Sequence, residues 1–488
     1  MKRKIRTRRR IPRPVRWILS AFVLMVIALG IMGRGSQALM PWHTERLTEE
    51  FAEKMAGEVR TFDDYLKLED RLFTQLEEKV YGSTPTGPQY NLVRYSSGSA
   101  ADPQHLTPNW NRTFELTSDA PVGGVLLLHG MSDSPYSLRA LGQTLNKQGY
   151  WVVGLRLPGH GTAPSGLRKA RWQDMAAVVR IGMERLSEKV GSRPVHILGY
   201  STGAALGIEF TLKAMDGEAS PVPASLVLIS PAIGVHPSAA LAGTRNRMSH
   251  IPGLGWLAWL PVLPEFDPYK YNSFATNAGT QVHRITRYVS GKITDKAKAG
   301  PIQSFPPILV FKSTVDATVS TDAVVDRLLI HMAPDRNELV LFDINRTAVA
   351  SPIIISDPGP LTDRLMADEK LPFTLTLITN ESPQSRVVVA HRKTPFSAEE
   401  TMEPLNAEWP IGVISLSHIA LPFPLDDPLY GVHPPEDQET IFLGHIPIQG
   451  ERGLILFPAD WLLRIRHNPF YDYLESRTLG WVEDHGGS

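Results

Sequence analysis

The chain has no cysteine in 488 residues. That excludes a disulfide scaffold, a thiolate-ligated zinc or iron–sulfur site, and a thiol nucleophile. It also lacks net charge, with 50 Lys+Arg against 50 Asp+Glu. The balance averages two unlike parts. The first 16 residues, MKRKIRTRRRIPRPVR, hold nine basic side chains and no acid, which leaves 41 basic and 50 acidic residues, or −9, downstream. A mildly acidic body behind a basic tip argues against nucleic-acid binding, which needs its basic patch on the folded surface. No metal-ligand spacing, phosphate-cradling loop or dinucleotide fingerprint is present, so neither metal nor cofactor is expected. Repeats and low-complexity segments are also missing. With 42% apolar and 20% charged residues, the composition is that of a globular protein.

What is present begins with residues 1–16 as a cytoplasmic tip and an uncharged run of 17 residues, Trp17 to Gly33, closed by Arg34. As a helix it spans roughly 25 Å, near the lower limit for crossing a membrane. Basic flanks stay cytoplasmic, so the pattern predicts a single-pass anchor with the body exported to a periplasmic, extracellular or lumenal space. A cleaved signal peptide is the rival, with Ser36 and Ala38 as its small-residue site. The long basic region and the intervening Arg34 favour the anchor. Residues 34–87 read as a membrane-proximal segment. Phe51, Met55 and Val59, then Phe62, Leu66, Phe73, Leu76 and Val80, predict two short helices. Thr61 with Asp64 is a capping-box variant. A solvated hairpin without a function of its own is the plainer reading of that segment.

From residue 88 to the end, short apolar runs alternate with helix-like stretches. GGVLLLHG (123–130), YWVVGLRLPGHG (150–161), PVHILGYSTG (194–203), ASLVLISPA (224–232) and PPILVFKSTVD (306–316) are the runs. Strands that are apolar throughout and alternate with helices predict an α/β fold, a parallel sheet covered on both faces. YNLVRYSS (90–97) and TFELTS (113–118) are expected as antiparallel leading strands. Residues 233–303 and 344–411 break the alternation as insertions, the second holding a hairpin of FTLTLI (373–378) and RVVVAHR (386–392).

The sharpest chemical signal is Gly199-Tyr200-Ser201-Thr202-Gly203, between an apolar strand and a helix-like run. A nucleophilic serine needs a tight strand-to-helix turn, and small residues at Gly199 and Gly203 keep that turn clear of its neighbours. A serine is unreactive at neutral pH without a histidine base oriented by a carboxylate. Asp316, just past PPILVFKSTV, is the best-placed acid; Asp322, Asp326 and Asp343 are the alternatives. His418, after GVISLS and before IALPFP, is the best-placed base, on an expected strand-end loop. His433 and His445 lie in Pro-rich sequence, and His391 ends a hairpin strand. The oxyanion requires two N–H donors, assigned to the backbone of Thr202 and Met131. Trp256 and Trp259, in IPGLGWLAWLPVLPEF (251–266), read either as lining of an acyl pocket or as the cap's own core. Asn111, Asn345 and Asn380 begin sequons, a pattern common by chance.

LLLHGMSDSP (126–135), LRLPGHGTAPSG (155–166), LGYSTG (198–203), Asp316 with Val319, and SHIALPF (417–423) together resemble the α/β-hydrolase superfamily. More narrowly, the chain looks like the monoacylglycerol lipase, lysophospholipase and serine aminopeptidase-like group. The resemblance covers roughly residues 120–330 and 411–425. It implies an eight-stranded, mostly parallel sheet with helices on both faces, a cap between strands six and seven, and a triad of Ser201, Asp316 and His418. The chain departs from the group at Thr202, where Met is common, in its long acid-to-histidine segment, and in its N-terminal anchor. The resulting expectation is a membrane-anchored serine esterase acting on a lipid-like acyl ester, with no obligate protein partner. A serine peptidase or amidase, and a non-catalytic envelope scaffold, are the alternatives.

Overall fold

The apolar runs close, in a computed structural model, into one sheet ordered β1-β3-β2-β4-β5-β6-β7-β8-β9-β10. The structure describes residues 38–234, 238–316, 318–347, 354, 357–436, 441–444 and 464–486. The strands are β1 (Phe114–Leu116), β2 (Gly124–Leu128), β3 (Trp151–Leu155), β4 (Val195–Tyr200), β5 (Leu226–Ile229), β6 (Ile308–Ser313), β7 (Glu338–Phe342), β8 (Thr374–Asn380), β9 (Val387–Lys393) and β10 (Glu400–Glu408). From β3 through β8 all neighbours are parallel. β1, β9 and β10 are antiparallel to their neighbours.

Among the described residues the helices longer than a single turn are α1 (Phe62–Lys79), α2 (Arg139–Lys147), α3 (Trp172–Val190), α4 (Thr202–Met215), α5 (Ser238–Met248), α6 (Thr276–Lys296), α7 (Thr321–Arg327), α8 (Gly359–Ala367) and α9 (Tyr471–Asp484). Alternate residues of each strand serve opposite layers. Leu126 and Leu128 of β2 join a core with α1, α3, α4, α6, α7 and α8. Val125 and Leu127 join the opposite core with α2 and α9. Burial on both faces explains why the strands are apolar throughout. The insertion 233–303 falls between β5 and β6 rather than between strands six and seven, because residues 90–97 add no leading strand. Its last helix, α6, sends Ile285, Val289 and Ile293 into the main core.

Other expectations change as well. Among the described residues the sheet has ten strands rather than eight, because the inserted hairpin docks edge-on to β7 and continues the sheet as β8 and β9, with β10 beyond them. Residues 90–97 form no strand. The backbone there folds into successive turns, Val93 N–H on the Tyr90 carbonyl at 2.9 Å and Ser96 N–H on the Val93 carbonyl at 3.0 Å, and Arg94, Tyr95 and Ser96 are buried. The predicted helix around Phe51 and Val59 reduces to one 3₁₀ turn, Glu53–Met55. There Glu50 turns inward and the Glu53 N–H binds Asp174 Oδ1 at 2.9 Å. GVISLS is likewise irregular, and His418 opens a short 3₁₀ turn, His418–Ala420. The Thr61–Asp64 capping box is present in both directions, at 3.1 and 3.2 Å. The basic tip, Trp17–Gly33 and Ser36 lie outside the described residues. Among the described residues no helix is long and apolar enough to cross a membrane.

The segment before β1 is built into the body. Tyr65, Leu68 and Leu72 of α1 are fully buried, and burial of such side chains contributes roughly 1.5–3 kcal/mol each. A buried ion cluster adds specificity. Arg156, after β3, places Nε 2.9 Å from Glu69 Oε2, and its two terminal nitrogens lie 3.1 Å from the Glu50 carboxylate. Glu50 also accepts the Gly159 N–H at 2.9 Å, and Tyr65 donates to the Arg156 carbonyl at 2.7 Å. Arg156→Met leaves two carboxylates without their cation. The expected loss is about 3–5 kcal/mol, seen as a fall of roughly 10 °C in the thermal unfolding midpoint. A midpoint unchanged within error would show that the cluster does not hold the segment.

Candidate active site

β4 ends at Tyr200 and α4 begins at Thr202, so Ser201 alone makes the turn. Its backbone sits at φ 53°, ψ −111°, a conformation that L-residues rarely adopt. Flanking bonds hold it there: Ser201 N–H donates to the Ile229 carbonyl at 2.9 Å, and the Ser201 carbonyl accepts Ala232 N–H at 3.1 Å. The glycines answer to the same crowding. A Cβ at Gly203 would lie 2.0 Å from the Leu128 carbonyl oxygen, and one at Gly199 would lie 2.6 Å from the Ala204 nitrogen. Neither position admits a side chain. Ser201 retains 8% of its surface.

Asp316 and His418, 102 residues apart, meet beside this turn. His418 Nδ1 lies 2.8 Å from Asp316 Oδ2. An ionised carboxylate only accepts, so Nδ1 carries the proton and Nε2 is left basic. The other carboxylate oxygen accepts the Thr318 and Val319 N–H groups at 2.8 and 3.1 Å. Burial alone would raise the Asp316 carboxyl. His418, Lys312 and the Thr318 N–H together pull it below the usual carboxylate range. The His418 ring packs on Tyr200, the residue before the serine, with ring centroids 5.3 Å apart. Tyr200 Oη also donates to the His418 carbonyl at 3.4 Å. Ser201 Oγ makes no side-chain hydrogen bond among the described residues. Such catalytic contacts commonly tighten only once substrate is bound.

The loop after β2 carries Met131, whose N–H is the second donor expected for an oxyanion. His129 Nε2 accepts Leu157 N–H at 3.1 Å, which leaves Nδ1–H to donate to the Gly130 carbonyl at 2.9 Å. Asp133 N–H binds that same carbonyl at 3.2 Å. In a trans peptide the carbonyl and the next N–H point oppositely. Pinning the Gly130 carbonyl therefore orients the Met131 N–H away from it. Burial drives His129 well below the ordinary histidine range, so the ring is neutral and its tautomer is settled by these two bonds. The loop is clamped to the insertion by Asp133 Oδ1 and Lys270 Nζ at 2.9 Å, and by Tyr271 N–H on the Ser132 carbonyl at 2.8 Å.

The remaining sequence candidates lie elsewhere. Asp322 is paired with Arg364, and Asp343 with Arg346. His391 contacts Glu400 at 3.1 Å, and His433 is exposed. His445 lies outside the described residues. Trp259 is buried with Leu167, Ala258 and Tyr271, while Trp256 is half-buried beneath Arg245. The sequon asparagines Asn111, Asn345 and Asn380 are all buried and hydrogen-bonded. A cavity of about 780 Å³ lies between residues 44–58, 162–174 and 246–258 and includes none of Ser201, Asp316 and His418. Sequence reasoning missed Lys312, whose ammonium touches Asp316. Its signal was a single cation inside the otherwise apolar run ILVF, four residues before the acid. Asp133–Lys270 left no such signal, since its partners are 137 residues apart.

Residues 119–334 match the family described as serine aminopeptidase, S33. A stretch of 88 residues, 18% of this chain, is 35% identical to the thermostable monoacylglycerol lipase of Bacillus sp. (strain H-257). The chain spans about a third of that protein's length, 34%. Among solved structures, one from the metagenome-derived lipolytic enzymes LipS and LipT overlaps 48% of this chain and 87% of its own, with 21% identity and a TM-score of 0.38. The monoacylglycerol lipase of Paleococcus ferrophilus overlaps 47% and 88%, with 18% identity and a TM-score of 0.37. With the parallel sheet, the turn at Ser201 and the family match in hand, the chain carries the α/β-hydrolase fold and, over residues 119–334, resembles the serine aminopeptidase S33 group.

Proposed function

We propose that this chain is a serine hydrolase of carboxylic esters, with Ser201 as nucleophile, His418 as general base and acid, and Asp316 as the group that orients the imidazole. The observation that carries the reading is the 2.8 Å contact of His418 with Asp316 beside a serine held at positive φ. Ser201 Oγ attacks the ester carbonyl as its proton passes to His418 Nε2. The N–H groups of Met131 and Thr202 receive the oxyanion, His418 returns the proton to the departing alcohol, and water then resolves the acyl-enzyme.

A lipid-like acyl ester is the proposed substrate. The partial likeness to a monoacylglycerol lipase supports it, as does the apolar insertion. Of the two tryptophans, Trp256 has surface to offer an acyl chain, while Trp259 serves the insertion's own packing. The family description favours a second reading, an aminopeptidase. That activity needs a carboxylate to meet the substrate's amine. Asp133, the acid on the loop that carries Met131, is closed on Lys270, which supports the ester. We also propose that Trp17–Gly33 anchors the enzyme, with its body on the exported side.

A fluorophosphonate probe is expected to label the wild type and not Ser201→Ala; equal labelling of the two removes the proposal. Asp316→Asn leaves the imidazole in the wrong tautomer and is expected to lower kcat by about 10³–10⁴-fold. p-Nitrophenyl acyl esters should turn over faster than aminoacyl anilides, and the reverse order would establish the peptidase. Deleting residues 1–33 should move esterase activity from the membrane pellet to the supernatant. A full-length enzyme already in the supernatant removes the anchor.

A further inference from the structure

Lys312 is the fifth residue of β6, a strand buried at every position, and its side chain is fully enclosed. Its Nζ lies 3.0 Å from Asp316 Oδ2 and 2.6 Å from the Val319 carbonyl. Oδ2 is the same oxygen that accepts His418 Nδ1–H. One carboxylate oxygen thus serves two donors, the Lys312 ammonium and the ring that becomes a cation during the proposed reaction. With the imidazole neutral, Lys312 and Asp316 cancel. Once it is protonated, the buried group carries a net positive charge, where an Asp–His pair alone would be neutral. Like charges around one carboxylate disfavour the second charge.

The other charged groups around the ring do not reverse this. Asp133, on the loop after β2, is neutralised by Lys270. Tyr200, from β4, is held un-ionised by burial. Burial pushes the Lys312 ammonium down and Asp316 opposes that shift. The short contact with an ionised carboxylate is the arrangement of an ion pair.

We propose that Lys312 is a positioning residue that tunes the His418–Asp316 pair, competing with the imidazole for Asp316 Oδ2 and so keeping the base unprotonated to lower pH. The inference rests on the serine hydrolase reading above and deepens it. Its measurable consequence is the acid limb of the pH profile of kcat/KM, on which activity rises as the base loses its proton.

The test compares wild type with Lys312→Met and Lys312→Arg, using a p-nitrophenyl acyl ester for the profile and fluorophosphonate labelling at each pH. Lys312→Met is expected to move the acid limb up by about 1 pH unit, read on a profile scaled to its own high-pH plateau. Lys312→Arg, which restores the cation, is expected to return the limb toward its original position. A uniform loss at all pH values with an unmoved limb would overturn the proposal and leave Lys312 as a brace for the loop at Val319. Where Lys312→Met does not fold, Lys312→Gln keeps a donor for the Val319 carbonyl and carries the same test. Failure of both variants to fold assigns Lys312 to structure alone and also overturns it. Wild type that escapes labelling sinks the hydrolase reading itself. Labelled wild type with an unmoved limb sinks only the role of Lys312.

Discussion

The turn at Ser201 is the constraint on which the rest of the molecule depends. An L-residue at positive φ is costly, of order 1–3 kcal/mol, and persists only where its surroundings leave no alternative. Here β5 supplies the Ile229 carbonyl, and the chain just after it supplies the Ala232 N–H. The Leu128 carbonyl stands so close to Gly203 that no side chain fits. Two neighbouring strands and the first turn of α4 are therefore all adjusted to one residue. The same adjustment puts the N-terminus of α4, with its unpaired N–H groups, beside the serine oxygen.

Around that turn, the site is assembled from segments that have little to do with one another in the chain. Asp316 follows β6, His418 follows the inserted strands, and Lys312 comes from within β6. They converge on one carboxylate that accepts two backbone and two side-chain donors. So many donors keep it ionised while burial pushes the other way. The insertion between acid and histidine does not disturb this meeting point. It leaves β7 by extending the sheet outward, and the chain returns along the far core, where Trp409, Leu416 and Ala420 are buried. His418 is delivered by that return.

The segment before β1 shows a different economy. Its apolar face would suffice to attach α1, yet a buried arginine with two carboxylates is also present. Buried ion pairs contribute little net stability over apolar replacements of the same shape, but removing one partner is expensive. Their effect here is on register. Glu50 and Glu69 can satisfy Arg156 only when the chain lies in one position over the loop that follows β3. That loop carries His160, stacked on Tyr271 beside the clamp to the Met131 loop.

Patterns short in sequence were legible without the structure. The parallel strands, the β8–β9 hairpin, the capping box at Thr61 and the glycines about Ser201 follow from neighbours within a few residues, because strand burial, helix capping and tight turns are local physics. Asp316 and His418 were picked out by chain order and do meet, although the run before His418 is not the strand it was expected to be. Elements that fold against distant parts of the chain were not legible. Residues 90–97 read as a leading strand, yet they fold into turns, with Arg94 N–H on the Glu265 carbonyl of the distant insertion; the helix expected near Phe51 gives way where Glu50 is drawn to Arg156. Lys312 stood in plain view as a cation in an apolar run, but nothing within β6 says which carboxylate it meets. The sequence by itself determined that a serine would occupy a strand-to-helix turn with an acid and a histidine downstream. Only the tertiary structure decided that the acid is shared with a lysine, because a charge buried in a sheet is defined by the partner that neutralises it, and that partner is chosen by packing.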